Sequence, residues 1–311
     1  MYTHAPVMRD QVLAGLALRP DGRYVDATFG RGGHSAAILS ALGEDGQLLA
    51  LDRDDAAVAV ARQHFGGDER FTIRHAAFAA LRDIVADESL SGAVDGLLFD
   101  FGVSSPQLDD AERGFSFLRD GPLDMRMDQA QTVTAANYLS TVDEPALRRD
   151  LAAYGEERLA GRIASAIIRA RQQRPIERTL QLAEIVEQAV PARVRNQSRK
   201  HPATKTFQAI RIRVNAELEQ ITAALEAVLD VLAVGGRVCF LTFHSLEDRP
   251  VKQYLRQYAE GDPVWRGLPD APEWALPRLK IVGKDAVANA DELEENPRAR
   301  SARLRIGERV R

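Results

Sequence analysis

Tyr24-Val25-Asp26-Ala27-Thr28-Phe29-Gly30-Arg31-Gly32-Gly33-His34-Ser35 is the stretch that decides the fold. A short apolar run ends at Thr28, a glycine-rich turn follows, and Ser35-Ala36-Ala37-Ile38-Leu39 opens a helical pattern. Strand, tight turn and helix in that order open a Rossmann-type unit, where glycine lets the backbone approach a ligand because it has no Cβ. Leu48-Leu49-Ala50-Leu51-Asp52 reads as a second buried strand ending in a carboxylate, twenty residues beyond Gly32. Such units place an acid there against ribose hydroxyls.

The turn narrows the choice of ligand. A dinucleotide fingerprint G-x-G-x-x-G needs a third glycine where Ser35 stands, and no G-x-x-x-x-G-K-[ST] occurs anywhere. Asp26, just before the turn, would repel a pyrophosphate but suits the cationic methionyl end of S-adenosylmethionine. Turn, Asp26 and Asp52 together therefore point to a cofactor site rather than a plain tight turn.

Working outward, Ala56-Ala57-Val58-Ala59-Val60-Ala61 predicts a helix. Phe71-Thr72-Ile73-Arg74 and Val94-Asp95-Gly96-Leu97-Leu98-Phe99-Asp100 predict third and fourth strands. Phe78, expected in the loop after the third, could lie against an adenine ring. Strand and helix alternate, which gives a mostly parallel sheet with helices on both faces. Ligands of such sheets sit outside the carboxyl ends of the strands. Thr28 to Gly33, Asp52, Phe78 and Asp100 all fall at that rim.

From about Pro106 to Pro202 the alternation stops. Residues 107–115 and 121–127 read as loops. Leu159, Ile163, Ala166, Ile167 and Ala170 then form an apolar stripe at helical spacing, and Leu180, Ala183, Ile185 and Val186 begin another. The expected organisation is a sheet domain of residues 1–108 and 203–311 carrying an inserted helical domain, 109–202. Beyond the insert a long helix is predicted from about Lys205 to Leu229, then a fifth strand, Arg237–Phe243. His244-Ser245-Leu246-Glu247-Asp248 follows on the same rim. The tail from Trp265 to Glu295 reads as irregular, and Arg303-Leu304-Arg305-Ile306 as a final edge strand.

The chain has 311 residues, 45% of them hydrophobic, enough for two domains with a sizeable core. Its single cysteine rules out an internal disulfide framework and fits a reducing, cytoplasmic setting; Cys239 lies within Val238-Cys239-Phe240-Leu241 and reads as a core residue. No signal peptide and no membrane-spanning apolar run are apparent. The net charge of -4 argues against wholesale coating of nucleic acid. Locally the balance reverses: residues 189–216 contain no acid but carry Arg193, Arg195, Arg199, Lys200, Lys205, Arg211 and Arg213. An acid-free basic run in an acidic protein points to a polyanion, and Arg193, Arg195, Arg199, Lys200 and Lys205 are the candidate RNA contacts. Arg298, Arg300, Arg303 and Arg305 form a second basic cluster. The six histidines lack ligand spacing with Cys239, so no catalytic metal is expected.

Six strings then converge on one family. They are Asp100-Phe101-Gly102-Val103-Ser104-Ser105-Pro106-Gln107-Leu108-Asp109-Asp110; Arg113-Gly114-Phe115-Ser116-Phe117; Gly121-Pro122-Leu123-Asp124-Met125-Arg126-Met127; His201-Pro202-Ala203-Thr204-Lys205-Thr206-Phe207-Gln208-Ala209; Phe243-His244-Ser245-Leu246-Glu247-Asp248-Arg249; and Glu295-Asn296-Pro297-Arg298-Ala299-Arg300-Ser301. Together they closely resemble the bacterial 16S ribosomal RNA (cytosine-N4)-methyltransferase family, over nearly the whole chain. The resemblance implies a Rossmann-like class I methyltransferase sheet with an inserted helical recognition domain. It also implies methylation of one cytidine in the decoding region, with 16S rRNA or the small ribosomal subunit as partner. The family's cofactor positions map onto Gly32, Gly33, His34, Asp52, Phe78, Asp100 and Gln107. Many amino-methyltransferases carry [DNS]-P-P-[YFW] after the fourth strand, whereas this chain has Asp100-Phe101-Gly102-Val103.

The chemistry can be reasoned separately. Cytosine N4 is conjugated with its ring and needs an acceptor for its hydrogens before it attacks a methyl group, but no covalent intermediate. Methylation at C5 would need a thiolate, and the only thiol is assigned to the core. Asp100, or a carbonyl beside it, is the expected acceptor, with His4, His34 and His244 as alternative proton acceptors. Three rival readings remain at this point: a ribose-hydroxyl methyltransferase, an NAD-dependent dehydrogenase, and a non-catalytic rRNA-binding assembly protein.

Overall fold

A computed structural model describes residues 6–197 and 201–311. His4, Arg199 and Lys200 lie outside the described residues. The chain divides into two compact units: residues up to Gly102 together with Leu218–Arg311, and Val103–Glu217. The stretch 109–202 falls inside the second.

The first unit is built on one sheet. Its strands are β1 (Arg23–Asp26), β2 (Gln47–Asp52), β3 (Phe71–His75), β4 (Val94–Asp100), β5 (Leu232–Thr242), β6 (Leu279–Ile281), β7 (Ala286–Val287) and β8 (Arg303–Arg309). Their order is β3-β2-β1-β4-β5-β8-β6, with β7 also on β8. β1 to β5 pair in parallel, whereas β8 runs antiparallel to β5, β6 and β7. Parallel strands are buried on both faces, which is why their sequences are continuous apolar runs. Alternate residues feed two cores: Val25, Leu49, Leu51, Leu97, Phe99, Val238 and Phe240 face one way, and Tyr24, Leu48, Ala50, Leu98, Cys239 and Leu241 the other. Ile221, Val228, Val251 and Leu255 cover the first face. Met8, Val12, Leu16, Ile38 and Ala61 cover the second.

The sequence reading of the C-terminal third needs three corrections. The long helix is two, Thr204–Asn215 and Glu217–Val231. Between them Ala216 sits in the left-handed region at φ 47°. Arg211 grips Glu217 across that break through Nε and one terminal nitrogen, both at 2.8 Å. The tail is not irregular throughout, since β6, β7 and a helix at Ala290–Glu295 form there. β8 is an interior strand, paired on both sides, so the edge reading fails. In the 107–115 stretch, a short helix, Ser105–Asp109, precedes a 3₁₀ turn at Ala111–Arg113.

The second unit is helical: Ala135–Thr141, Glu144–Gly155, Ala160–Gln173, Thr179–Ala189, Ala192–Arg195 and Thr204–Asn215. Thr134 and Asp143 cap the first two, accepting from Asn137 N at 3.1 Å and Ala146 N at 2.6 Å. The predicted stripes are buried at Ile163, Ile167, Ala183 and Val186, whereas Leu180 is exposed. Ile163 and Ile167 join Leu147, Leu151, Leu182, Val186, Phe207 and Ile210 in one core. The helix Thr204–Asn215 belongs to this unit because it packs tightly on Glu144–Gly155. A Cβ at Gly155 would lie 2.6 Å from the Lys205 carbonyl oxygen, and Gln208 Nε2 donates to Tyr154 O at 3.0 Å. Buried Asn215 locks the 121–127 loop, donating to Met125 O and accepting from Met127 N, both at 2.8 Å. Met125 is held there at φ 62°.

Candidate active site

The strand order reverses between β1 and β4: the chain winds through β1, β2 and β3 to one side, then through β4 and β5 to the other. A crevice opens at the carboxyl ends of strands at such a switch point. Here the two loops are tied together, because Asp100 N donates to Thr28 Oγ1 at 2.7 Å.

Asp26 closes β1 and is fully buried. Its carboxylate accepts from Ser35 Oγ at 2.7 Å and from Thr28 N at 3.1 Å. Burial pushes it up to about 6 against those two hydrogen bonds. The turn that follows needs its glycines. Gly32 stands at φ 75°, and a Cβ on it would lie 2.5 Å from the Phe29 ring. Gly33 starts the next helix, Gly33–Ala41, with Pro6 closely opposed, and His34 is buried on its first turn. Burial lowers His34 to about 4, so its imidazole is neutral near pH 7.

Asp52 ends β2 half-buried, its two oxygens held by Gly30 N at 2.7 Å and Asp54 N at 2.8 Å. Those N–H groups fix the carboxylate while leaving each oxygen a lone pair. Burial raises Asp52 to about 6. Asp100 ends β4 with one oxygen 3.8 Å from His34 Nε2 and the other buried without a hydrogen-bond partner among the described residues. Burial, then the nearby charges of Asp26 and Glu247, push Asp100 up to about 8. Phe78 lies in a 3₁₀ turn, Phe78–Ala80, rather than a loop. Half-buried, it meets Phe99 and Phe101 edge to face, at 6.1 and 5.5 Å between centroids.

After β5, buried Glu247 caps the helix Ser245–Glu260. It accepts from Phe243 N at 2.7 Å and His244 N at 3.3 Å, while its other oxygen lies 2.8 Å from His244 Nε2. His244 is thereby engaged as part of a helix cap. The sequence reading placed Glu247 on the rim without a role. Its signal was the spacing His244-x-x-Glu247, a variant of the capping box. The Thr28 hydroxyl bridge was also missed, and no sequence pattern marks it. Cys239 is buried under the helix Arg9–Leu16, its thiol pushed up by burial.

The remaining predicted residues lie in the helical unit. Gln107 is buried, its Oε1 accepting from Ser104 N at 3.0 Å. Arg193 is exposed, Arg195 pairs with Glu187 at 3.1 Å, and Lys205 Nζ donates to Glu156 O at 2.8 Å. The stretch is free of acids in sequence but not in space: Arg211 pairs with Glu217, and Arg213 with Asp150 at 3.4 Å. In the second basic cluster Arg303 pairs with Asp285 and Arg305 with Asp248.

The model of the MraW methylase family matches residues 1–310. The chain belongs to that family. It is a ribosomal RNA methyltransferase that uses S-adenosylmethionine as methyl donor. Among solved structures it is similar to an rRNA methylase from Streptococcus thermophilus, at 12% identity over 100% of this chain and 99% of that one, with a TM-score of 0.44. It is also similar to a SAM-dependent O-methyltransferase from Thermotoga maritima, at 10% identity over 100% and 69%, with a TM-score of 0.44. At those scores neither likeness decides anything about this methyltransferase. Its rim fits the donor on its own terms, since buried carboxyl groups raised by burial and mutual repulsion are stabilised by a sulfonium or ammonium cation. Among the described residues no helix is long and apolar enough to cross a membrane.

Proposed function

We propose that this methyltransferase modifies the exocyclic N4 of a cytidine in the decoding region of 16S rRNA, within the small ribosomal subunit or as free RNA. When bound, S-adenosylmethionine supplies an activated methyl group. Asp52 accepts from the ribose hydroxyls through the lone pairs that Gly30 and Asp54 leave free. Phe78 packs the adenine. The backbone of Gly32, Gly33 and His34 would hold the methionyl end, whose cationic character buried Asp26 would offset. Gln107 completes the cofactor set that the family resemblance implies. The helical unit, with Arg193, Arg195, Arg199, Lys200 and Lys205, takes the RNA.

Asp100 carries the chemistry. Methyl transfer to an amine leaves a proton to be removed, and an acceptor whose affinity lies near neutral pH does this best. Asp100 is raised to about 8, beside a neutral His34. A cationic centre at the rim favours its ionised form, which then accepts from the N4 amine. The target base must leave its stack to reach the rim. C5 chemistry is disfavoured because the buried Cys239 thiol is pushed up, away from thiolate. The single observation supporting this reading is an elevated carboxyl group at the switch point, tied through its backbone to the glycine turn.

The test is methylation of purified small subunits and of naked 16S rRNA, followed by nucleoside mass spectrometry. The expected product is N4-methylcytidine at one position. A 2′-O-methylated nucleoside, or C5-methylcytidine, overturns the assignment.

A further inference from the structure

The chain's two tryptophans, Trp265 and Trp274, lie in one surface loop of the sheet unit, between the helix Ser245–Glu260 and β6. The base of this loop is pinned. Asp262 N donates to Ala275 O at 2.8 Å and Arg278 N to Tyr258 O at 2.9 Å. Gly261 turns the chain at φ 67°, where a Cβ would lie 2.5 Å from the same Ala275 oxygen. Pro263, Pro269 and Pro272 stiffen the segment between.

This ordered loop presents apolar surface to solvent. Val264 is 76% exposed, Leu268 52% and Trp274 68%. Trp274 stands edge-on to Trp265, at 6.5 Å and 83°. Three large apolar side chains exposed within eleven residues of one loop mark a contact surface, unlike apolar residues scattered singly. Charge decides the partner. From Glu260 to Trp274 there are four acids, Glu260, Asp262, Asp270 and Glu273, and a single base, Arg266. Glu260 engages Arg266 at 2.6 Å and Arg256 at 2.7 Å, and Asp262 accepts from Val264 N at 2.8 Å. Asp270 and Glu273 are exposed beside Trp274 in sequence. Such a surface repels phosphate and attracts cations. A guanidinium also stacks well on an indole face.

We infer that this loop docks a basic polypeptide segment, with arginine side chains against Trp274 and their charge met by Asp270 and Glu273. The inference rests on the rRNA reading in one respect: nucleic-acid-bound proteins carry basic arms of this chemistry, so an RNA substrate arrives with such segments nearby.

Because both tryptophans sit here, the intrinsic fluorescence of the full chain reports on this loop alone. The experiment titrates the protein with an octa-arginine peptide, an octa-glutamate peptide and a single-stranded cytidine-rich RNA, following tryptophan emission. The arginine peptide is expected to change the emission saturably, with affinity falling about fivefold between low and moderate salt. The double variant Asp270→Asn, Glu273→Gln, which retains both tryptophans, is expected to bind about tenfold more weakly. Trp274→Ala, with Trp265 as reporter and circular dichroism as a check on folding, is expected to lose the contact. No response to octa-arginine, an equal response from the double variant, or the same response to RNA overturns the inference. Methyl transfer to rRNA by the same preparation separates the two claims. Transfer without peptide binding removes only the docking surface, whereas peptide binding without transfer removes only the catalytic reading.

Discussion

On the sheet rim, Asp26, Asp52 and Asp100 are ringed by neutral groups: the Ser35 hydroxyl, backbone N–H groups of Thr28, Gly30 and Asp54, and a neutral His34. In the helical unit, Asp124, Asp150, Glu187 and Glu217 each face an arginine. The consequences are opposite. The rim acids are pushed up by burial and by neighbouring acids: Asp52 acts on Asp26, Asp54 on Asp52, and Asp26 and Glu247 on Asp100. Asp124, although burial raises it, is held below the usual carboxylate range by Arg126. These four acids are balanced by arginines of their own unit. The rim acids have no such arginine partner among the described residues, and under the proposed function a cationic ligand balances them.

The strongest way to break this contrast is to remove one acid from each region. Asp100→Ala is expected to lower kcat by about 100- to 1,000-fold while changing cofactor affinity far less. Asp150→Ala should leave kcat nearly unchanged. Single-turnover methylation alongside calorimetric cofactor binding checks both, and equal losses would erase the distinction.

In the helical unit, the largest effect should come from a neutral group. Asn215→Ala removes three side-chain hydrogen bonds from a buried position, to Met125, Met127 and Arg211. It should cost about 3 kcal/mol of stability in denaturant unfolding, and a loss below 1 kcal/mol would show that the 121–127 loop is held by other means.

The contrast has a legible and an illegible half. β1 to β5 could be read because buried parallel strands demand continuous apolar runs, and the rim acids because each ends such a run. The compensation of the basic stretch could not. Arg195 and Arg213 meet Glu187 and Asp150 only after helices fold together, and linear charge counting carries no such information. The break at Ala216 was equally hidden, because an alanine in the left-handed region leaves the helical periodicity on either side intact. β8 was read as an edge strand because its partners β6 and β7 are three and two residues long, too short to carry a period of their own.

pH sharpens the comparison next. A carboxyl group whose folded pKa is raised contributes stability that is complete below its unfolded value and is lost as pH rises through the folded one. Asp26 and Asp52, at about 6, lose theirs mostly below neutrality. Asp100, at about 8, should cost the ligand-free protein about 2 kcal/mol between roughly pH 6.5 and 8.5. His34, lowered to about 4, contributes fully above about 6.5 and adds no slope in that window. Urea unfolding at the two pH values measures the difference, and Asp100→Asn should flatten it. The smallest effect is expected at the partly exposed Arg195–Glu187 pair. There Arg195→Gln should change stability by less than about 1 kcal/mol in the same assay, and a larger loss would mean that this ion pair is a structural anchor.

The measurement that bears most directly on the acid rim is titration calorimetry of S-adenosylmethionine and S-adenosylhomocysteine at pH 7, in two buffers of different ionisation heat. The two ligands share their adenosine and amino-acid parts and differ in the charge at sulfur. The account predicts that the sulfonium compound binds with release of roughly one proton more than the thioether, and that Asp100→Asn abolishes the difference. Equal proton release for the two ligands in the wild-type protein would contradict it.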